Sequence, residues 1–182
     1  MENNKDRNVY IVLTYTGTIM AKIVKFYTRK EFSHVSLSLD EDLEEMYSFG
    51  RLNPYNPFCG GFVHEGIDIG TFKRFKNTKS AIYSLKLTEE QYDKINLLIE
   101  EMKKKQESYK FNCIGLFAVA INYKYQKENR FYCAEFVKYL LDNAGVEIDV
   151  PELVKPMDFK YIEDLNLEYK GMLRDYKTIN NH

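Results

Sequence analysis

Polar and apolar residues alternate along Phe32-Ser-His-Val-Ser-Leu-Ser-Leu39: Val35, Leu37 and Leu39 fall on one side, His34, Ser36 and Ser38 on the other. A period of two belongs to a half-buried strand. The acidic Asp40-Glu41-Asp42 reads as a turn, and Leu43 to Phe49 as the return strand of a hairpin. If the turn is those three residues, Leu39 pairs with Leu43 and Ser48 falls opposite His34; a register one residue different brings Phe49 there instead. Ahead of this hairpin, Asn8 to Thr16 is dense in β-branched and aromatic residues and stops at Gly17, which predicts a buried strand. Thr18 then caps a helix with Ile19, Met20, Ile23, Val24 and Tyr27 on its apolar face, ending near Lys30.

Gly50 to Gly61, with Asn53-Pro54, Asn56-Pro57 and a Gly-Gly pair, reads as loop. Phe62 to Phe75 predicts short strands and Ala81 to Leu87 another. Thr88-Glu-Glu-Gln91 is a capping box opening an amphipathic helix through about Lys105, with Tyr92, Ile95, Leu98, Ile99 and Met102 inward. Ile114 to Ile121 predicts a second, more buried helix. Between Asn129, a candidate N-cap, and Gly145, a candidate stop, Phe136, Val137, Leu140, Leu141 and Ala144 recur at helical spacing. Pro151 and Pro156 mark an irregular crossing, and Leu165 to Lys170 with Met172 to Tyr176 predicts a final hairpin bent at Gly171. Strands and helices together give the α+β class, and 182 residues suit one domain, 1–182.

A net charge of −1 supplies no field toward nucleic acid or an acidic membrane surface. The basic run Lys103-Lys-Lys105 sits where a helix C-terminus favours cations, so it reads as a solvated face. Three cysteines, at 59, 113 and 133, make no disulfide framework, and the polar start Met-Glu-Asn-Asn-Lys is unlike a secretion signal, so a cytoplasmic, reduced chain is expected. The longest apolar run, Cys113 to Ile121, is too short for a membrane span, and no integral membrane segment is expected.

Cys133 lies in the first turn of the helix read between Asn129 and Gly145. There a sulfur faces unpaired N–H groups and the positive end of the helix dipole, which favour thiolate over thiol. The same residue also lies on the helix's apolar stripe, where cysteine commonly serves as a small core residue. A nucleophile needs a base. Of the three histidines, His182 is terminal, and His64-Glu65 lacks the second histidine of a zinc-protease helix, with Asp68 in its place. Cys59 and His64 do not complete a four-ligand metal site, so no metal or other cofactor is expected. His34 is left.

The segments Phe32 to Leu39 and Arg130-Phe-Tyr-Cys-Ala-Glu-Phe-Val137, in that order, resemble the circularly permuted papain-like cysteine hydrolases of the YiiX/YaeF kind, relatives of the NlpC-type peptidases. In the unpermuted relatives the cysteine helix precedes the histidine strand. The resemblance implies an antiparallel, barrel-like sheet with the cysteine helix packed against it, Cys133 as nucleophile and His34 as general base. It also implies a third residue across the hairpin from the histidine, usually glutamate or histidine. The register above puts Ser48 there, with Glu45 and Tyr47 as alternatives for another turn shape. The Cys133 N–H would serve the oxyanion hole, with Tyr132, Tyr109 and Asn112 as polar candidates nearby. The expected substrate is a small molecule, peptide or lipid carrying an amide or ester. The competing expectations are a binding module of the same fold whose triad has decayed, signalled by Ser48, and a lipid-directed acyltransferase.

Overall fold

The computed structural model describes residues 6–18, 21–22, 25–26, 29–53, 55–120 and 123–177. Eight strands form one mixed sheet: β1 (Arg7–Tyr15), β2 (His34–Ser38), β3 (Met46–Asn53), β4 (Asn56–Glu65), β5 (Lys79–Leu87), β6 (Lys110–Phe111), β7 (Arg130–Phe131) and β8 (Leu165–Met172), in the order β7-β6-β4-β3-β2-β1-β5-β8. Every pairing is antiparallel except β6 with β7. The sheet is open, with β7 and β8 at its edges, where a barrel-like one was expected. The α-helices with described bounds are α1 (Gly70–Arg74), α2 (Glu89–Lys104), α3 (Cys113–Ala120) and α4 (Cys133–Asn143). Among the described residues no helix is long and apolar enough to cross a membrane.

The alternation read in β2 divides the molecule. Val35, Leu37 and Leu39 join the larger core, where α4 packs on β2 and β3 and α2 packs on α4 and β1. Phe136 of α4 meets Phe49 at 5.3 Å and Phe62 at 5.8 Å between ring centres, and Leu140 and Leu141 are fully buried. Each such side chain contributes roughly 1.5–3 kcal/mol by leaving water. The other side of the sheet carries a smaller core, with Val12, Met46, Ile82, Phe72 and Leu173 among its members. The capping box of α2 forms as read: Thr88 Oγ1 accepts from the Gln91 N–H at 3.2 Å, and the Gln91 side chain accepts from the Thr88 N–H at 3.1 Å.

Several expectations are corrected. The stretch read as loop from Gly50 to Gly61 is largely a hairpin, with Gly50 paired to Gly61 and Arg51 to Gly60. Those glycines admit a third strand. A Cβ on Gly60 would stand 2.8 Å from Phe111 Cβ, and one on Gly61 3.0 Å from the Tyr109 carbonyl. Gly60→Ala is therefore expected to destabilise by about 1–3 kcal/mol through overpacking, measured by urea denaturation; an unchanged midpoint would contradict this contact.

The segment from Phe62 to Phe75, read as short strands, holds the end of β4 and the short α1. The final hairpin is instead one strand, β8, which runs through Gly171 alongside β5 and ends in a 3-10 turn at Leu173–Asp175. Gly171 makes no bend there. Its missing side chain leaves room for the Tyr169 ring, whose hydroxyl donates to the Met172 carbonyl at 2.9 Å. Ile114, expected on a buried helix, is exposed. Thr18 caps as expected, accepting from the Ala21 N–H at 3.2 Å, but the apolar positions of that helix (Ile19, Met20, Ile23, Val24 and Tyr27) lie outside the described residues, as do Ile121 and His182.

Candidate active site

The turn after β2 decides what faces His34. Asp40 accepts from the Glu45 N–H at 2.8 Å and the Glu44 N–H at 3.0 Å, and the Leu39 N–H donates to the Glu45 carbonyl at 3.0 Å. Asp40 thus holds a wider turn than the three residues assumed, with Leu43 at a φ of 58° tucked into the smaller core. Strand β3 starts at Met46, and Leu37 pairs with Tyr47 and Ser38 with Met46. Counted on from those pairs, Ser48 stands beside Ser36 and Gly50 beside His34. The expected placement of Ser48 opposite His34 is therefore wrong by two residues. The error preserves the side of the sheet: Ser48 is buried near the site, but its hydroxyl has no hydrogen-bond partner of ordinary geometry.

The carboxylate beside the histidine comes from β4. Both oxygens of Glu65 lie 3.2 Å from His34 Nε2, and the Ser36 hydroxyl donates to Glu65 Oε2 at 2.5 Å. The alternatives Glu45 and Tyr47 bond to each other, with Lys103 beside them, and the Tyr47 ring lies in the larger core. His64 stacks on Tyr47 at 5.1 Å and donates to the Glu44 carbonyl, away from the cavity that holds His34.

Cys133 is the first residue of α4, preceded by Tyr132 in extended conformation as the N-cap in place of Asn129. Glu135 accepts from the Tyr132 N–H at 3.1 Å and from Asn112 Nδ2 at 3.4 Å, which fixes the start of the helix. At this first position the Cys133 N–H has no acceptor within the helix. Of the three polar candidates for an oxyanion hole, Tyr132 and Asn112 are otherwise engaged. Tyr132 donates to the Val154 carbonyl at 3.0 Å, Asn112 Nδ2 donates to the Tyr125 carbonyl at 3.1 Å, and Tyr109 packs against Phe49 and Phe131.

Cys133 lies beside His34 on the same cavity, close enough that its side chain and charge raise the imidazole pKa. With Nε2 turned to Glu65, Nδ1 is the ring nitrogen left for the sulfur. Both residues line a cavity of about 90 Å³, together with Glu65, Gly50, Phe49 and Arg51. Cys133 is 3% exposed and the His34 side chain 20%, so the cavity is the route to the sulfur.

Burial works most strongly against a charge on His34, but the Glu65 carboxylate, then the charge and side chain of Cys133, and the hydrogen bond to Glu65 outweigh it and push the imidazole up to about 10. Burial likewise disfavours the Glu65 anion, yet His34 first, and then Ser36 and Ser48, hold its carboxyl below the ordinary range. The raised histidine contributes stability that is complete below its ordinary 6.5 and is lost as pH rises through about 10. The depressed carboxylate contributes stability complete above its ordinary 4.5 and lost as pH falls through its lower folded value. The stability difference between the wild type and His34→Gln is thus expected to be greatest near pH ~5.5 and to shrink toward pH ~10. Chemical denaturation across that range checks this; a constant difference would contradict the pairing.

The sequence matches no protein-family model and no curated protein.

Proposed function

We propose that this protein is a thiol hydrolase that cleaves an amide or ester bond through an acyl-enzyme, on a circularly permuted papain-like fold. Cys133 attacks the carbonyl, and His34, beside it on the cavity, holds the proton and then returns it to the leaving group. Glu65 fixes the ring and stabilises its charged form. Water then releases the acyl group from the sulfur. The Cys133 N–H, free of the helix ladder, is one donor for the oxyanion. The observation that carries the reading is that Cys133, His34 and Glu65 line a single cavity, with the imidazole bonded to the Glu65 carboxylate and its pKa raised by both neighbours.

Ser48 gave reason to read a decayed binding module, because a hydroxyl supplies no negative charge. Glu65 supplies that charge, so the reason falls away. The substrate is a small molecule, peptide or lipid bearing the amide or ester. Hydrolase and acyltransferase share the acyl-enzyme and differ in what accepts from it, so an added alcohol or amine that diverts the acyl group from water would mark the transferase.

Incubation with an activated aryl ester followed by peptide mass spectrometry tests the reading. The acyl mass is expected on the peptide carrying Cys133. Turnover of the ester with Cys133 never modified would sink the covalent route.

A further inference from the structure

The cavity that holds Cys133 and His34 also contains a guanidinium that the thiol chemistry does not use. Arg51 of β3 is half-buried and lines this cavity. Its Nη2 donates to Thr18 Oγ1, an oxygen that already accepts from the Ala21 N–H and the Thr16 hydroxyl, each at 3.2 Å. A guanidinium carries five N–H donors, and among the described residues Arg51 makes no other hydrogen bond and no ion pair with a carboxylate. Glu65, on the same cavity, is committed to His34 and Ser36.

A second cation stands close by. The Arg74 guanidinium lies 4.0 Å from the Tyr55 ring centre and 5.4 Å from that of Phe75, while Arg51 lies 5.7 Å from the same Phe75 ring. Burial first, and then the like charge of Arg74, lowers the pKa of Arg51. A half-buried cation near another, with no carboxylate paired to it among the described residues, is an unfavourable arrangement by itself. An anion bound in the cavity relieves both the desolvation and the repulsion. Holding Thr18 requires only one of the five N–H groups, so that role leaves the rest unexplained.

We propose that Arg51 binds an anionic group of the substrate, so that the compound cleaved at Cys133 carries a carboxylate or phosphate beside its scissile carbonyl. The planar fork of arginine fits either group in a two-point contact. The inference rests on the hydrolase reading for the position of the reacting carbonyl, but anion binding itself does not require a working thiol.

Two measurements separate those claims. The first compares kcat/KM for the p-nitrophenyl ester of acetic acid with that for the p-nitrophenyl monoester of glutaric acid, in wild type, Arg51→Met and Arg51→Lys. The anionic-to-neutral ratio is expected to fall about tenfold or more in Arg51→Met and to recover partly in Arg51→Lys. A merely structural Arg51 would leave that ratio unchanged, which would overturn the proposal. The second titrates glutarate and, separately, inorganic phosphate into each protein by calorimetry, with no chemistry involved. The wild type is expected to bind at least one of them about tenfold or more tightly than Arg51→Met does, and the anion preferred names the source of the charge. Equal affinity in both proteins, or binding of neither anion, would overturn the proposal. If wild type hydrolyses neither ester, the hydrolase reading fails on its own and the calorimetry alone decides the role of Arg51.

Discussion

Cys133→Ala is expected to lower ester or amide hydrolysis by about four orders of magnitude or more, the scale of loss when a covalent nucleophile is removed. The protein should still fold. Cys133 packs into the larger core beside Ala134 and Phe136, and replacing its sulfur with hydrogen removes a small volume from a helix held by many other contacts. A shift of about 1–2 kcal/mol in unfolding free energy is the expected structural cost. The loss of rate then reports chemistry. A Cys133→Ala protein, folded by circular dichroism, that turns over the ester at the wild-type rate would show that the sulfur does no chemistry.

The second large effect concerns Glu65. Glu65→Gln keeps the size of the side chain and an acceptor for the Ser36 hydroxyl, but removes the charge that raises the His34 pKa above what burial would otherwise allow. The imidazole then loses its proton at lower pH, and the ring loses the group that orients it. Hydrolysis at neutral pH is expected to fall on the order of 10²–10⁴-fold, with unfolding free energy reduced by about 1–3 kcal/mol. Ser48→Ala should cost far less, because the hydroxyl it removes makes no hydrogen bond of ordinary geometry and comes last among the groups that hold the Glu65 carboxyl low. Steady-state kinetics on the two variants side by side is the check. An effect of Ser48→Ala as large as that of Glu65→Gln would mean that the hydroxyl, rather than the carboxylate, supports the ring.

The contrast between those two residues marks how far the sequence could be read. His34 was legible because alternation along β2 fixes which side each residue faces, and Cys133 because the stripe Phe136, Val137, Leu140 fixes the helix and places the cysteine in its first turn. Both are local periodicities. Their meeting in one cavity is long-range, and it was expected from the resemblance to the permuted hydrolases rather than from spacing. Glu65 was missed for two linked reasons. The width of the β2–β3 turn depends on Asp40 capturing the N–H groups of Glu44 and Glu45, which a run of acidic residues does not announce. The glycines that let β6 approach β4 also look like loop residues, and reading them so removed β4 from the neighbourhood of β3. A signal was present in the alternation ending Phe62-Val-His-Glu65, which puts a carboxylate at the end of a strand. His64 beside it has the side chain of a metal ligand instead. The antiparallel character of the sheet was likewise legible in its hairpins, whereas its openness depends on the short strands β6 and β7, whose sequences carry no period to read.

The most direct test of the central claim is the rate at which iodoacetamide alkylates each cysteine as a function of pH, followed by peptide mass spectrometry on native protein. Because His34 stays protonated well above its ordinary range, the Cys133 sulfur has a cation beside it at mildly acidic pH. Cys133 is therefore expected to react at least about tenfold faster than Cys113 at pH ~6, despite Cys113 being exposed and Cys133 buried, and to lose that advantage in His34→Gln. Equal labelling of the cysteines, or an unchanged Cys133 rate in His34→Gln, would contradict the account.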